Sequence, residues 1–266
     1  QMKNFLRIVN IRRCVTGLIY TTKKYMVEGR LSNYLAANGF KSYTEYMDRV
    51  EADYTGQEAQ NLINILTTNH TYFMREPEHF EFFKNVILPE LKEREKTGMD
   101  LRIWSAAASS GQEPYTIAMI LKDFLGPEYN AWETSVLATD ISRKVLDSAV
   151  NGIYGAEQIS TLPVWWRNSY FVPLPDGMYQ VKKELRQQVV FRQFNLMNPL
   201  TFKKKMHVIF LRNVMIYFDE TTKRKLVQRL YEFLEPGGYL IIGSTENIDR
   251  SAVPLVYVRP SIFRKE

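Results

Sequence analysis

From Leu101 to Ser244 short apolar runs alternate with helical stretches, and that rhythm permits few folds. Leu101–Ala107, Thr134–Asp140, His207–Asn213 and Tyr239–Ser244 each read as a short strand. Between them lie Glu113–Phe124, a stretch carrying Val145, Leu146 and Ala149, and Thr221–Leu234, all with helical spacing. Strands separated by helices cannot pair as tight hairpins, so they assemble into a mostly parallel sheet covered on both faces. Leu255–Val258 and Ile262–Arg264 are expected to close the sheet as antiparallel strands.

The rhythm breaks in two places. From residue 1 to Phe82 apolar residues recur at helical spacing, in Phe5, Ile8 and Val9, in Tyr25, Leu31, Tyr34 and Leu35, and in Leu62, Ile63, Ile65 and Leu66. Polar breaks at Asn38-Gly39 and Thr55-Gly56 divide this all-α N-terminal domain, expected over 1–82. The α/β domain is expected over 83–266. Within it, Trp165, Trp166, Pro173, Pro175 and the Asp176-Gly177 turn indicate a small β insertion at about 155–194, with Tyr179–Val181 and Val189–Phe191 as flanking strands.

Composition narrows the setting. Of 266 residues, 45% are hydrophobic and 24% charged, enough for one large α/β domain with an accessory domain. The single cysteine, Cys14, allows no internal disulfide, which fits a reducing compartment. No apolar run is long enough to span a bilayer, and the start lacks the order of a secretory signal, so a cytoplasmic protein without membrane insertion is expected. The net charge of +6 favours an acidic partner. Arg7, Arg12, Arg13, Lys23, Lys24, Arg30 and Lys41 concentrate that charge in the helical segment, as a solvated face or a docking face.

The chemistry is expected where the first strand meets its helix. Ser105-Ala-Ala-Ala-Ser-Ser-Gly-Gln-Glu113 is a loop of small side chains that lets a ligand approach the backbone, at the carboxyl end of the strands where open α/β sheets bind ligands. It has no G-x-G-x-x-G and no G-K-[ST], which argues against nicotinamide and triphosphate cofactors and leaves room for a nucleoside without phosphates. Asp140 ends the second strand, placed either to accept ribose hydroxyls or to cap the next helix. Glu113 is a ligand contact or a first-turn residue favoured by the helix dipole. His70, His79 and His207 are scattered and show no metal-ligand spacing.

Longer strings carry a family resemblance. Thr67-Thr-Asn-His-Thr-Tyr-Phe-Met-Arg-Glu-Pro-Glu-His-Phe80, Trp104-Ser-Ala-Ala-Ala-Ser-Ser-Gly-Gln-Glu-Pro-Tyr-Thr-Ile-Ala118, Phe210-Leu-Arg-Asn-Val-Met-Ile-Tyr-Phe-Asp219 and Leu234-Glu-Pro-Gly-Gly-Tyr-Leu240 resemble, in order, motifs of the chemotaxis receptor glutamate methyltransferases, the CheR family. Leu31–Tyr46 is similar to the end of their helical domain. The resemblance implies a class I S-adenosylmethionine methyltransferase of Rossmann-like α/β fold, with S-adenosylhomocysteine as product. Its partner would be the cytoplasmic helical domain of methyl-accepting receptors, with no nucleic acid bound and the enzyme acting as a monomer.

The same resemblance implies residue roles. Asn69, Thr71 and Arg75 reach from the N-terminal segment toward cofactor and reacting centre. Ala107 and Glu113 belong to the cofactor loop, with Glu113 on the methionine amino group. Asp140 takes the ribose, Asn195 and Leu196 the adenine side, and Arg212 and Asn213 line the same pocket. Tyr217 sits beside the transferred methyl, so Arg75 and Tyr217 are the expected catalytic residues. The chain departs from the family at His70, Met74 and Gln112, where Glu, Phe and Glu are usual, and at Gly243-Ser-Thr-Glu-Asn247.

Glutamate ionises near pH 4.3, so a glutamate acceptor is already a nucleophile at neutral pH and needs no general base. That agrees with a chain lacking an evident Ser-His-Asp or Cys-His pair. Two other readings remain at this point. A nucleic-acid methyltransferase fits the basic charge, yet Arg212-Asn-Val-Met-Ile-Tyr217 stands where an Asn/Asp-Pro-Pro-Tyr/Phe loop would be needed. A non-catalytic S-adenosylmethionine-binding regulator fits the changes at His70 and Met74. The Val172–Met178 turn is short for holding a receptor-tail peptide, which favours recognition through the basic N-terminal helices.

Overall fold

A computed structural model describes residues 24–266; Phe5, Ile8, Val9, Cys14 and the basic residues Arg7, Arg12, Arg13 and Lys23 lie outside the described residues. Among the described residues three helices come first: α1 (Lys24–Ala37), α2 (Tyr43–Ala52) and α3 (Gln57–Leu66). Ser42 starts α2 by accepting the Glu45 N–H on its hydroxyl at 3.2 Å, which satisfies one of the helix's orphan donors. Leu31, Leu35, Tyr46, Met47, Leu62 and Leu66 are buried in one cluster with Trp104 and Leu211 of the sheet, so the helices pack on a sheet face. Each such burial is worth about 1.5–3 kcal/mol.

One expectation for this region needs correcting. Arg30 is one of the basic residues expected on a solvated or docking face, but its guanidinium donates to the carbonyls of Leu66 (3.4 Å) and Thr67 (3.0 Å). It caps the carbonyl end of α3, a role open to any cation at a helix C-terminus. Lys41 is exposed.

Helix α4 (Pro77–Phe82) continues through a π turn (Phe83–Ile87) into α5 (Leu88–Arg94). The main sheet then forms from β1 (Ile103–Ser105), β2 (Val136–Asp140), β6 (Val189–Gln193), β7 (Met206–Leu211), β8 (Leu234–Ile242), β9 (Leu255–Arg259) and β10 (Ile262–Lys265). Their spatial order is β6-β2-β1-β7-β8-β10-β9, parallel from β6 to β8, with β10 and β9 added antiparallel. Helix α6 (Gln112–Leu125) follows β1, α7 (Arg143–Asn151) follows β2, and α11 (Glu220–Phe233) joins β7 to β8. Two buried clusters lie against the sheet: one gathers Phe80, Phe83, Tyr115 and Phe210, the other Trp104, Ile209, Leu230 and Phe233. The expected mostly parallel sheet is present.

The small sheet contains β3 (Ile153–Gly155), β4 (Phe171–Pro173) and β5 (Met178–Val181), in the order β3-β5-β4. Short helices α8 (Ala156–Ile159), α9 (Val164–Tyr170) and α10 (Lys183–Arg186) accompany it. Trp166 Nε1 donates to Asp123 Oδ2 at 2.6 Å, and Tyr170 donates to the other oxygen, tying the insertion to α6. The strand expected beside the insertion at Val189–Phe191 belongs elsewhere: β6 pairs in parallel with β2 along Val136–Asp140. An apolar strand reads the same whichever sheet takes it. The Pro236-Gly237-Gly238 turn lies inside β8, where the register against β7 shifts between Met206 and Val208.

Candidate functional site

At the carboxyl ends of β1, β2 and β7, beneath residues 67–75, lies a cleft of about 930 Å³ counted to its open mouth. It lies at the position where a parallel sheet exposes its loop ends. The structure brings all eleven residues singled out in the sequence to its walls: Asn69, Thr71 and Arg75 above; Ala107 and Glu113 after β1; Asp140 at the end of β2; Asn195 and Leu196 after β6; and Arg212, Asn213 and Tyr217 after β7. Of the family departures, His70 also lines it. Gln112 is buried beside Ser110, whose hydroxyl it accepts at 2.8 Å, and Met74 packs against the core.

The loop after β1 is shaped by side chain–backbone bonds. Asp140 Oδ2 accepts the Ser109 N–H at 2.9 Å, and Oδ1 accepts the Ser142 N–H at 2.9 Å. Burial pushes the Asp140 carboxyl above its usual pKa, against the pull of those N–H donors. Capping of α7 falls to Ser142, whose hydroxyl accepts the Val145 N–H, so the helix-cap alternative for Asp140 does not apply. Ser109 Oγ donates to the Asn69 carbonyl at 3.0 Å and joins the loop to the segment above. Gly111 has φ 96°, and a Cβ there would stand 2.9 Å from both Ala149 Cβ and the Tyr154 hydroxyl. Only glycine serves at that turn.

The opposite end is built from charges. Arg212 is buried, with its side chain 2% exposed. Its Nη1 donates to Glu113 Oε2 at 2.8 Å, its Nη2 to Glu76 Oε2 at 3.1 Å and to the Arg75 carbonyl, and its guanidinium lies 4.9 Å from the Phe80 ring centre. Glu113 Oε1 accepts the Ser105 hydroxyl at 2.7 Å. Glu76 also accepts Asn213 Nδ2 at 3.2 Å and the Ser244 N–H at 3.2 Å. Burial works to raise the Glu76 carboxyl, but Asn213 and Arg212 outweigh it and hold the group below its usual pKa. Glu246 accepts the N–H groups of Asn213 (2.8 Å), Gly243 (2.8 Å) and Ile216 (3.2 Å), fixing the loop that carries Tyr217.

Sequence reasoning passed over Glu76, Glu246 and Arg229. Arg229 on α11 donates to the carbonyls of Leu196 (2.6 Å), Met197 (3.0 Å) and Asn198 (2.8 Å) and so fixes the Asn195–Leu196 loop. Glu76 lies within Thr67–Phe80 and Glu246 within Gly243–Asn247, yet neither position signals its partner. Arg229 looks like one more basic residue on an amphipathic helix.

Comparison with known proteins decides the family. Residues 69–258 match the CheR methyltransferase SAM-binding domain, and residues 4–67 match the CheR methyltransferase all-alpha domain. The chain belongs to the CheR methyltransferases. It is 43% identical over 246 residues to the chemotaxis protein methyltransferase of Borreliella burgdorferi, covering 91% of this chain and 87% of that one. It is 37% identical over 238 residues to chemotaxis protein methyltransferase 2 of Vibrio cholerae, covering 88% and 82%. With the chemotaxis protein methyltransferase of Escherichia coli it shares 38% over 249 residues, covering 92% and 84%.

The chain is therefore an S-adenosylmethionine-dependent chemotaxis protein methyltransferase, and its cleft fits that cofactor. Each Asp140 oxygen holds a backbone N–H and keeps lone pairs for hydroxyls, since an ionised carboxylate offers about four acceptor sites. Phe194 and Leu196 supply apolar wall beside it, and Ala106 and Ala107 leave room for close approach. Glu113 offers an anionic contact at the other end. Among the described residues no group of His, Cys, Asp and Glu could hold a metal ion, and no helix is long and apolar enough to cross a membrane.

Proposed function

We propose that this CheR methyltransferase esterifies glutamate side chains in the cytoplasmic helical domain of methyl-accepting chemotaxis receptors, acting in the cytoplasm as a monomer. The observation that carries this reading is the position of Arg75. Its guanidinium lies at the cleft wall, with Nη1 donating to the His70 carbonyl at 2.8 Å and its centre 5.8 Å from the Tyr72 ring. Five N–H donors on a planar fork leave others to clamp an incoming carboxylate by charge-assisted bonds.

S-adenosylmethionine supplies an electrophilic methyl on a sulfonium. The protein's part is positioning and desolvation, because an ionised carboxylate needs no base. In this reading Asp140 takes the ribose hydroxyls, while Asn195 and Leu196 hold the adenine side. Glu113 accepts from the ligand's ammonium, and Ala107 allows close approach. Asn69 and Thr71 close over the cofactor from above, and Arg212 and Asn213 complete the wall at its amino-acid end. Tyr217, at the end of a 3-10 turn (Met215–Tyr217) held by Glu246, stands at the wall where the acceptor enters.

The test uses methyl-labelled S-adenosylmethionine and receptor-containing membranes. Protein-bound label released as methanol by mild alkali, and lost when glutamine replaces glutamate at the modified sites, is the expected result. Label that resists alkali would sink carboxyl methylation. Arg75→Ala is expected to lower turnover on receptor about 100-fold while the denaturant midpoint moves little; unchanged kinetics would remove Arg75 from the reaction.

A further inference from the structure

Glu76 does not line the cleft, yet it contacts two residues that do. It accepts Arg212 Nη2 at 3.1 Å and Asn213 Nδ2 at 3.2 Å. Its backbone is left-handed, with φ 56°, a conformation costly for any residue with a Cβ and kept here by those partners and the Ser244 N–H. Arg212 therefore shares one positive charge between two carboxylates, Glu76 and Glu113, whose side chains are 16% and 12% exposed. Charges this far from water feel one another strongly.

Other titratable groups stand beside this cluster, Glu78 and Arg259 among them. His79 Nδ1 lies 3.3 Å from Glu76 Oε2, but burial first and Arg212 second pull its pKa to about 4, so it is neutral near pH 7. Glu246 accepts backbone N–H groups, and Glu78 accepts the Ser244 hydroxyl at 3.4 Å.

We propose that Glu76 is a positioning residue that sets the charge of the amino-acid end of the cleft: by neutralising Arg212 it leaves the Glu113 charge available to a ligand ammonium group. With Glu76 ionised, the three groups carry a net charge of one negative. With Glu76 neutral, Arg212 and Glu113 cancel, and the attraction for a ligand's ammonium group is lost. Glu76 thereby sets selectivity for a ligand bearing an amino-acid moiety without touching it. The inference rests on the reading of Glu113 as the ammonium acceptor.

Ligand charge separates this role from a structural one. Calorimetry on the full chain at about pH 7.5 would compare S-adenosylhomocysteine with 5′-methylthioadenosine, which shares the nucleoside but lacks the amino-acid moiety. Glu76→Gln keeps the shape and removes the charge. The expected result is a roughly tenfold loss of S-adenosylhomocysteine affinity with 5′-methylthioadenosine within about twofold of wild type. Equal losses for both ligands would show loop distortion and overturn the proposal, and so would no loss for either. Glu113→Gln is the control on the underlying reading: if it fails to weaken S-adenosylhomocysteine selectively, that reading fails on its own account. Should Glu76→Gln not fold, Glu76→Asp against Glu76→Asn repeats the charge contrast at a shorter length. Asp is then expected to retain the ligand selectivity and Asn to lose it; equal selectivity in the two overturns the proposal.

Discussion

The two ends of the cleft are built on different physical plans. The end at Asp140 and Leu196 is held mainly by side chains bonding to backbone: Asp140 to the N–H groups of Ser109 and Ser142, Arg229 to three successive carbonyls. The end at Glu113 is held by buried ion pairs among Arg212, Glu76 and Glu113. Backbone anchoring fixes shape and tolerates changes of charge elsewhere. A buried ion cluster fixes charge, and it fails when one member is removed, because the others stay buried unpaired. The first plan suits reading a neutral nucleoside, the second reading a charged amino-acid group.

Breaking the cluster should have the largest effect. Arg212→Ala takes the cation from two half-buried carboxylates and is expected to cost about 3 kcal/mol of unfolding free energy, read from urea midpoints. Acid should probe the same end from outside. His79 has its pKa lowered from 6.5 to about 4, so its contribution is fully present above pH 6.5 and is lost as pH falls toward 4. At 1.36 kcal/mol per unit this amounts to about 3 kcal/mol at most. Glu76, also lowered, acts in the same direction below the ordinary carboxylate range. Asp140 is raised, so protonating it relieves a burial penalty and acts the other way; Glu246, raised for the same reason, follows Asp140. His207, at the far end of the sheet, is likewise pulled to about 4 by burial and by Arg102. His79→Gln should therefore flatten part of the stability loss between pH 6.5 and 4, and an unchanged pH profile would exclude it.

Smaller effects sharpen the contrast at the nucleoside end. Asp140→Asn is expected to weaken S-adenosylhomocysteine and 5′-methylthioadenosine alike, by about 2 kcal/mol or roughly 30-fold, since both ligands carry the ribose. Arg229→Ala should weaken both by about 1 kcal/mol, roughly fivefold, by releasing the carbonyls of Leu196–Asn198. Selectivity for the amino-acid-bearing ligand in either variant would contradict the division between the two ends.

Much of this architecture was legible in the chain. Periodicity sufficed for the strands and helices around Ser105, Asp140 and Leu211, because a parallel sheet demands apolar runs separated by crossover helices. Residues in or near the family-like motifs are gathered by the fold into one cleft from elements far apart in sequence. The placement of β6 was not legible, since pattern alone does not say which sheet receives an apolar strand. Nor was the inward turn of Arg30, which in sequence is only another cation on a helix.

By itself, then, the sequence determined the rhythm of elements, the small-residue loop and the acidic strand end, because these depend on near neighbours. Tertiary structure alone decided that Glu76 meets Arg212, that Arg229 clamps the loop at Leu196 and that Glu246 fixes the turn before Tyr217. Those pairs are joined across 136, 33 and 30 positions of chain. Local propensity carries no information over such separations; only folding shows which buried charge has found a partner.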